Sequence, residues 1–211
     1  MTTPLEIKQE ILMALSEVID NSLREIGFTR RRDSLSYVRS RAGTEQRIIF
    51  IVDFFPTYQP GAKAHIHPAI QLKMSEISRV ALELAKNDRR LLADAPDLIA
   101  NQPIEFTAPK DAHERWFASD RSEYRDVCQA IKRFLFKWVI PFLSETLTPE
   151  DLVKLYETND ERIMKQRHWY IFIAAAYLIL GRADAARKVV SERFASPGLR
   201  KKYSAVFDSL R

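Results

Sequence analysis

The sequence has few of the residues on which several classes of function depend. It contains one cysteine, Cys128, so no disulfide forms within the chain, as is usual in a reducing compartment. Its five glycines leave little material for a phosphate-binding loop, and no P-loop, dinucleotide-binding or hydrolase glycine motif is present. We therefore expect a cytoplasmic protein that carries no cofactor.

Long apolar runs and targeting signals are also absent. The longest apolar segment, WYIFIAAAYLIL at 169–180, is much shorter than the roughly 20 residues that span a bilayer. The first residues, MTTPLEIKQE, lack the basic and apolar regions of a secretion signal. The sequence thus predicts no membrane association, and we interpret 169–180 as a buried helix.

The composition is that of an ordinary folded protein with a mild excess of positive charge. Apolar residues make up 46% and charged residues 29%, which excludes wholesale disorder. There are 33 lysines and arginines against 28 acidic residues, a net charge of +5. This charge permits contact with nucleic acid or an anionic surface but does not require it.

Hydrophobic periodicity predicts an α+β fold. Thr3, Pro4 and Glu6 form a capping-box pattern, and apolar residues then recur at helical spacing until Gly27. Residues 28–74 alternate like strands, and helical spacing returns at 75–84 and after 119. We predict an N-terminal helix, an antiparallel sheet of about three to five strands and a helical C-terminal half. The two parts, 1–112 and 113–211, are expected to form one continuous domain.

Two histidines in the segment AHIHPAIQLKM, residues 64–74, raise the question of a metal site. His65 and His67 point to the same face of a strand, so their imidazoles could bind one ion. Further ligands would be needed, and Asp53 is the nearest candidate on a neighbouring strand. Pro68 cannot donate a ladder hydrogen bond, which favours an edge strand or a bulge. We expect His65 and His67 to lie on the polar face of an edge strand without a metal.

Asp53 lies in the apolar stretch RIIFIVDFF at 47–55. A carboxylate in such surroundings is costly when it is buried without a partner. We expect an ion pair with an arginine of an adjacent strand, such as Arg39, Arg41 or Arg47. If Asp53 instead lines a cleft with His65 and His67, these three residues are the candidates for a metal-dependent active site.

The first predicted hairpin, residues 28–47, is rich in arginine. A basic sheet that carries aromatic side chains can bind phosphates and stack bases. Alternation sends the arginines to both faces of the sheet, however, so a solvated or protein-binding surface is the preferred interpretation. The candidate residues for binding a partner protein or nucleic acid are Arg30, Arg31, Arg32, Tyr37, Arg39 and Arg41.

Cys128 is the remaining nucleophilic side chain of interest. It lies on the apolar stripe of a predicted helix, between Tyr124 and Ile131. Buried cysteines in such positions are usually inert packing residues. We predict that Cys128 is not catalytic.

Two stretches of sequence together resemble an uncharacterised bacterial family, domain of unknown function 4304. The first, LREIGFTRRRDSLSYVRS at 23–40, is followed by QRIIFIVDFF at 46–55. The second, ERWF at 114–117, precedes a helix that ends in WVIPFLSETLTPEDLVKLY at 138–156. The resemblance covers roughly residues 10–195 and implies a cytosolic α+β protein without an established active site. It also implies a link to toxin immunity, since some members are encoded near polymorphic toxins.

These observations leave three functions open. The first is a non-enzymatic binding protein, such as an immunity-type inhibitor of a partner protein, which needs no catalytic residues. Because the chain is basic, such a partner is expected to be acidic or neutral. The second is a nucleic-acid-binding module that uses the basic hairpin 28–47. The third is a metal-dependent enzyme that uses His65, His67 and Asp53.

Overall fold

Along the sequence, helices precede and follow a group of strands in a computed structural model that describes residues 2–211. The strands are β1 (Thr29–Arg30), β2 (Ser36–Arg41), β3 (Thr44–Phe54), β4 (Ala64–Met74), β5 (Ala100–Pro103) and β6 (Trp116–Ala118). The helices are α1 (Pro4–Val18), α2 (Asp20–Glu25), α3 (Ser75–Leu84), α4 (Glu123–Phe134), α5 (Ile140–Ser144), α6 (Pro149–Glu157), α7 (Trp169–Ile179), α8 (Ala183–Arg193), α9 (Pro197–Lys202) and α10 (Ser204–Ser209).

The strands form one antiparallel sheet, which confirms the predicted α+β class. The strand order is β1-β2-β3-β4-β5, and β6 pairs with β4. The sheet has six strands rather than three to five. The difference arises because β1 and β6 are too short for an alternating pattern to reveal them. Strand β5 ends at Pro103, and a 3-10 turn follows at Ile104–Thr107.

The chain divides into two compact units, each built from three segments. Unit 1 contains the residues up to Ser40 together with Gln46–Ile70 and Gln102–Ser144. Unit 2 contains Arg41–Glu45, Gln71–Asn101 and Glu145–Arg211. Each unit therefore includes residues from both of the parts, 1–112 and 113–211, that the sequence distinguishes.

Helix α1 begins in unit 1 as its sequence predicts. The Thr3 hydroxyl accepts a hydrogen bond from the Glu6 amide, and the Glu6 carboxylate accepts one from the Thr3 amide. This reciprocal capping box satisfies amides that the first helical turn leaves without partners. The apolar stripe of α1 is fully buried and packs against α4. Gly27, where the helical region ends, has a φ of +88°, which a residue with a Cβ adopts only with strain.

Helix α7 forms the centre of unit 2. Eight of its residues are buried, from Trp169 to Tyr177, and it packs against α3, α6 and α8. A helix that is apolar all round needs such surroundings, because no face of it suits contact with water. The prediction of a buried helix at 169–180 is confirmed. Among the described residues, no helix combines the length and the apolar content needed to cross a bilayer.

The helical segment that contains Pro141 continues through a π-helical turn at Leu135–Val139. Proline lacks an amide hydrogen, and its ring crowds the carbonyl four residues earlier in an α-helix. In the π turn the Ile140 amide instead reaches back five residues to the Leu135 carbonyl. This wider turn accommodates Pro141, so the helical path continues to Ser144 instead of ending at the proline.

Strand β4 is a central strand, and the prediction of an edge strand was wrong. It has β3 as one neighbour, and β5 and β6 as others. Residues Ala64, His65 and Ile66 pair with β6 in antiparallel register. Pro68 lies two residues beyond this paired segment, which is how a residue without an amide donor fits a central strand.

A buried ion pair in unit 1 connects α2 to the first hairpin. Arg30 donates two hydrogen bonds to the Asp20 carboxylate, at 2.8 and 2.7 Å, and Tyr37 donates a third at 2.5 Å. The side chains of Arg30 and Asp20 are 5% and 16% exposed. Burial favours a raised pKa for Asp20, but the bonds from Arg30 and Tyr37 outweigh it, so the pKa is lowered. The ionised carboxylate therefore stabilises the fold.

We predict that Asp20→Asn destabilises the protein by about 3 kcal/mol at pH 7, because it leaves Arg30 without its counter-charge. A lowered carboxyl pKa stabilises the fold above its unfolded value, near pH 4, and the effect is lost as the pH falls through the folded pKa. The difference between wild type and variant should therefore narrow below about pH 4. Urea unfolding at several pH values measures both effects.

The exposed Asp33, replaced in Asp33→Asn, is the matched control and should leave the free energy of unfolding nearly unchanged. Equal losses of unfolding free energy in Asp20→Asn and Asp33→Asn at pH 7 would contradict a stabilising role for the Asp20 carboxylate. So would a difference between wild type and Asp20→Asn that does not change with pH.

Candidate metal centre

Strands β3 and β4 and the loop between them bring three potential metal ligands together in unit 1. Asp53 is the penultimate residue of β3, and His65 and His67 lie near the start of β4. The strands are neighbours in the sheet, and alternation puts both imidazoles on one face. The buried residues Ala64, Ile66, Ile70, Leu72 and Met74 take the opposite face, as the sequence predicts, and Ala69 is buried on the histidine face. The loop is closed by a hydrogen bond from the Phe55 amide to the Lys63 carbonyl, 2.9 Å long.

One ligand atom from each of Asp53, His65 and His67 lies within 4.8 Å of the other two. His67 Nε2 is 3.3 Å from Asp53 Oδ2, and His65 Nδ1 is 3.7 Å from the same oxygen. Two donors on a tetrahedral ion with bonds of about 2.1 Å lie about 3.4 Å apart, and two at right angles about 3.0 Å apart. The 3.3 Å spacing lies in this range, and the 3.7 Å spacing exceeds the tetrahedral value by about 0.3 Å.

His67 Nε2 has no hydrogen-bond partner among residues 2–211, although the atom is buried. Its approach to Asp53 Oδ2 is close enough for an ion pair, but the geometry is not that of a hydrogen bond. A buried polar atom without a partner costs about 1–3 kcal/mol. The nitrogen and the carboxylate oxygen are separated by the distance expected of two ligand atoms on one ion. A cation between them would bind both atoms.

Tyr58, in the loop, contacts two of the three ligands. Its hydroxyl donates to Asp53 Oδ2 at 2.7 Å and lies 2.7 Å from His65 Nδ1. A phenol has one proton, so His65 Nδ1 is the donor in the second contact. The Tyr58 hydrogen bond, followed by the imidazole of His67, lowers the pKa of Asp53 despite some opposing burial. The same bond raises the pKa of the Tyr58 phenol.

The His65 imidazole is held within a stack of rings. Phe117 of β6 lies on it at 4.4 Å between centroids, and His67 lies at 4.9 Å. Burial, followed by the repulsion of His67, lowers the pKa of His65 and favours the neutral imidazole. Metals bind neutral imidazole, and an ion at Nδ1 would take the place of the proton that this nitrogen donates to Tyr58.

The three candidate ligands that the sequence identifies, Asp53, His65 and His67, thus lie together. Tyr58 and Phe117, which the sequence does not identify, contact them. Asp53 was predicted to pair with Arg39, Arg41 or Arg47, but its partners among the described residues are Tyr58 and the two histidines. Tyr58 lies only five residues after Asp53, yet nothing in the loop sequence indicates that it folds back. Phe117 belongs to β6, whose pairing with β4 no short pattern reveals.

Only some of the predicted binding residues of the basic hairpin are exposed to solvent. Tyr37 is 1% and Arg39 6% exposed, and Arg39 donates to Gln46 at 2.6 Å. Arg30 is held by Asp20, as described above. Arg31, Arg32 and Arg41 are exposed, so nucleic-acid binding by the hairpin stays a prediction that rests on these three arginines.

The chain matches no protein-family model, no curated protein and no solved structure. The resemblance to domain of unknown function 4304 therefore stays a prediction, and the candidate centre is interpreted from its own geometry.

Cys128 is fully buried on α4, and burial raises the pKa of its thiol to about 12. The reactive thiolate is therefore scarce near neutral pH. We predict that Ellman's reagent labels the native protein only slowly, and labels one thiol per chain at once in denaturant. Absorbance of the released thiolate follows the reaction. Complete labelling of the native protein within the mixing time would contradict this.

Proposed function

We propose that the protein binds a transition-metal ion through Asp53, His65 and His67. The observation that carries the proposal is His67 Nε2, a buried nitrogen without a hydrogen-bond partner that lies 3.3 Å from Asp53 Oδ2. Two imidazoles and one carboxylate form a ligand set that suits zinc and the neighbouring first-row ions.

The proposed centre leaves room for further ligands. The Asp53 side chain is 47% exposed, so three protein ligands on one side leave the other side of the ion open to solvent. A metal ion with open positions lowers the pKa of bound water or polarises a substrate oxygen. We therefore propose a cytoplasmic, metal-dependent protein whose chemistry takes place at the solvent-facing side of β3 and β4.

We predict that the tag-free protein binds one Zn²⁺ per chain and that His67→Ala weakens binding by about 100-fold or more. Loss of a ligand should exceed the 10–100-fold effect of losing a group that only supports one. Isothermal titration calorimetry measures affinity and stoichiometry. The visible spectrum of the Co²⁺ form reports the coordination number.

His113→Ala is the matched control, because this exposed histidine bonds the Ala108 carbonyl at 3.3 Å and takes no part in the cluster. It should bind zinc like wild type. The proposal is wrong if wild type binds no ion, or if both histidine variants lose the same affinity.

A second candidate is partner binding, as expected of an immunity-type inhibitor. It is supported by four exposed apolar side chains in one short segment of unit 1: Ile51, Phe54, Phe55 and Tyr58. Phe55 also has a φ of +52°, a conformation that is strained for a bulky residue and common at binding sites. Exposed apolar side chains concentrated in one segment are a feature of interaction surfaces. The net charge of +5 favours an acidic or neutral partner.

For this candidate we predict co-purification with the product of a neighbouring gene, lost in the double variant Phe54→Ser/Phe55→Ser. Leu5, 66% exposed on α1, provides the control, and Leu5→Ser should keep the complex intact. Size-exclusion chromatography of the co-expressed pair is the measurement. Separate elution of wild type and partner would contradict partner binding without bearing on metal affinity.

A further inference from the structure

We infer that Tyr58 is a fourth ligand of the centre, that it binds as a phenolate, and that the completed ligand set selects ferric iron. The inference rests on the proposed metal site. The phenol oxygen of Tyr58 lies 2.7 Å from both Asp53 Oδ2 and His65 Nδ1. No other phenol hydroxyl of the described residues contacts any of the three ligands.

The spacing of these atoms needs only a small adjustment to surround an ion. Two ligands at right angles on an ion about 2.1 Å away lie about 3.0 Å apart. The two contacts of the Tyr58 oxygen would therefore lengthen by about 0.3 Å, as expected when a hydrogen-bonding proton is replaced by a metal ion. The 3.3 Å from Asp53 Oδ2 to His67 Nε2 lies between the right-angle and tetrahedral spacings, and the 3.7 Å to His65 Nδ1 would shorten by about 0.3 Å to reach the tetrahedral one.

Tyr58 is free to make this adjustment. The residue is 57% exposed, and its ring makes edge contacts with His65 and Phe117 rather than filling a core. Its loop contains Gly61 at a φ of +86°, where a turn residue without a Cβ suits the backbone. The hydroxyl is thus the part of Tyr58 with the most specific contacts, and those contacts are with the ligand set.

The nature of the ion follows from the ligands. One carboxylate and two imidazoles suffice for a divalent ion such as Zn²⁺ or Fe²⁺. A second anionic oxygen adds most to an ion of higher charge that favours oxygen ligands, and phenolate is an established ligand of ferric haem iron. On binding, the phenol O–H bond breaks and its proton leaves to solvent, and the His65 imidazole exchanges its proton from Nδ1 to Nε2. The phenol oxygen and Nδ1 then replace citrate oxygens on the iron, with no change in oxidation state.

The experiment adds Fe³⁺, supplied as its citrate complex, to the tag-free protein and records the visible spectrum. A phenolate bound to Fe³⁺ gives a ligand-to-metal charge-transfer band, and resonance Raman excitation in that band enhances the phenolate vibrations. We expect the band in wild type and in Tyr170→Phe, which removes a hydroxyl far along the sequence in unit 2. We expect no band in Tyr58→Phe, with at least about tenfold weaker Fe³⁺ binding and Zn²⁺ affinity within about threefold of wild type.

The outcomes separate this inference from the proposed function. Zinc binding by the three ligands without a ferric band in wild type would overturn the role of Tyr58 and leave the metal site intact. A band that persists in Tyr58→Phe would overturn it as well, because another residue would then supply the phenolate. Absence of both zinc and iron binding in wild type would overturn both. Circular dichroism establishes that Tyr58→Phe is folded.

Discussion

The pairing of β3 with β4 is the constraint on which the candidate centre depends. These are the two longest strands, of 11 residues each, and their adjacency brings a carboxylate from one beside two imidazoles from the other. Slipping the register by one residue would move His65 and His67 to the opposite face, because strand side chains alternate. The buried residues of β4 oppose such a slip, since it would expose them to water. Core packing thus fixes the ligand geometry.

Without an ion, the side chains of the candidate centre differ in how well their polar atoms are paired. As a hydrogen-bonded group, Tyr58, Asp53 and His65 are satisfied, because one phenol proton and one imidazole proton serve both contacts. His67 is different, since its Nε2 is enclosed and has no hydrogen-bond partner in the described chain. At 3.3 Å from Asp53 Oδ2, either a proton on Nε2 or a metal ion completes the contact between the two atoms. This enclosed nitrogen is therefore the feature of the cluster that supports the proposed cation site.

Sequence periodicity predicted the parts of the fold that local rules determine. The capping box at Thr3, the strand at 64–74 and the buried helix near 169–180 all follow from residue type and spacing. Edge or central position in the sheet does not, because it depends on which distant strands pair. Pro68 indicated an edge, yet β6 reaches β4 from about 50 residues further along the chain. The same limit hid Phe117, whereas the sequence already grouped Asp53 with the two histidines.

The ring stack on His65 has a consequence for exchange. The His65 imidazole stacks with both Phe117 and His67, which restricts its rotation. It would therefore lose little conformational entropy on binding an ion. Capture of a proposed ion at that side chain would therefore involve little reorganisation, whereas the exposed Tyr58 side chain would still have to become fixed. We expect a centre of this kind to load in two kinetic phases, with rapid capture by the sheet residues and slower closure by the phenol.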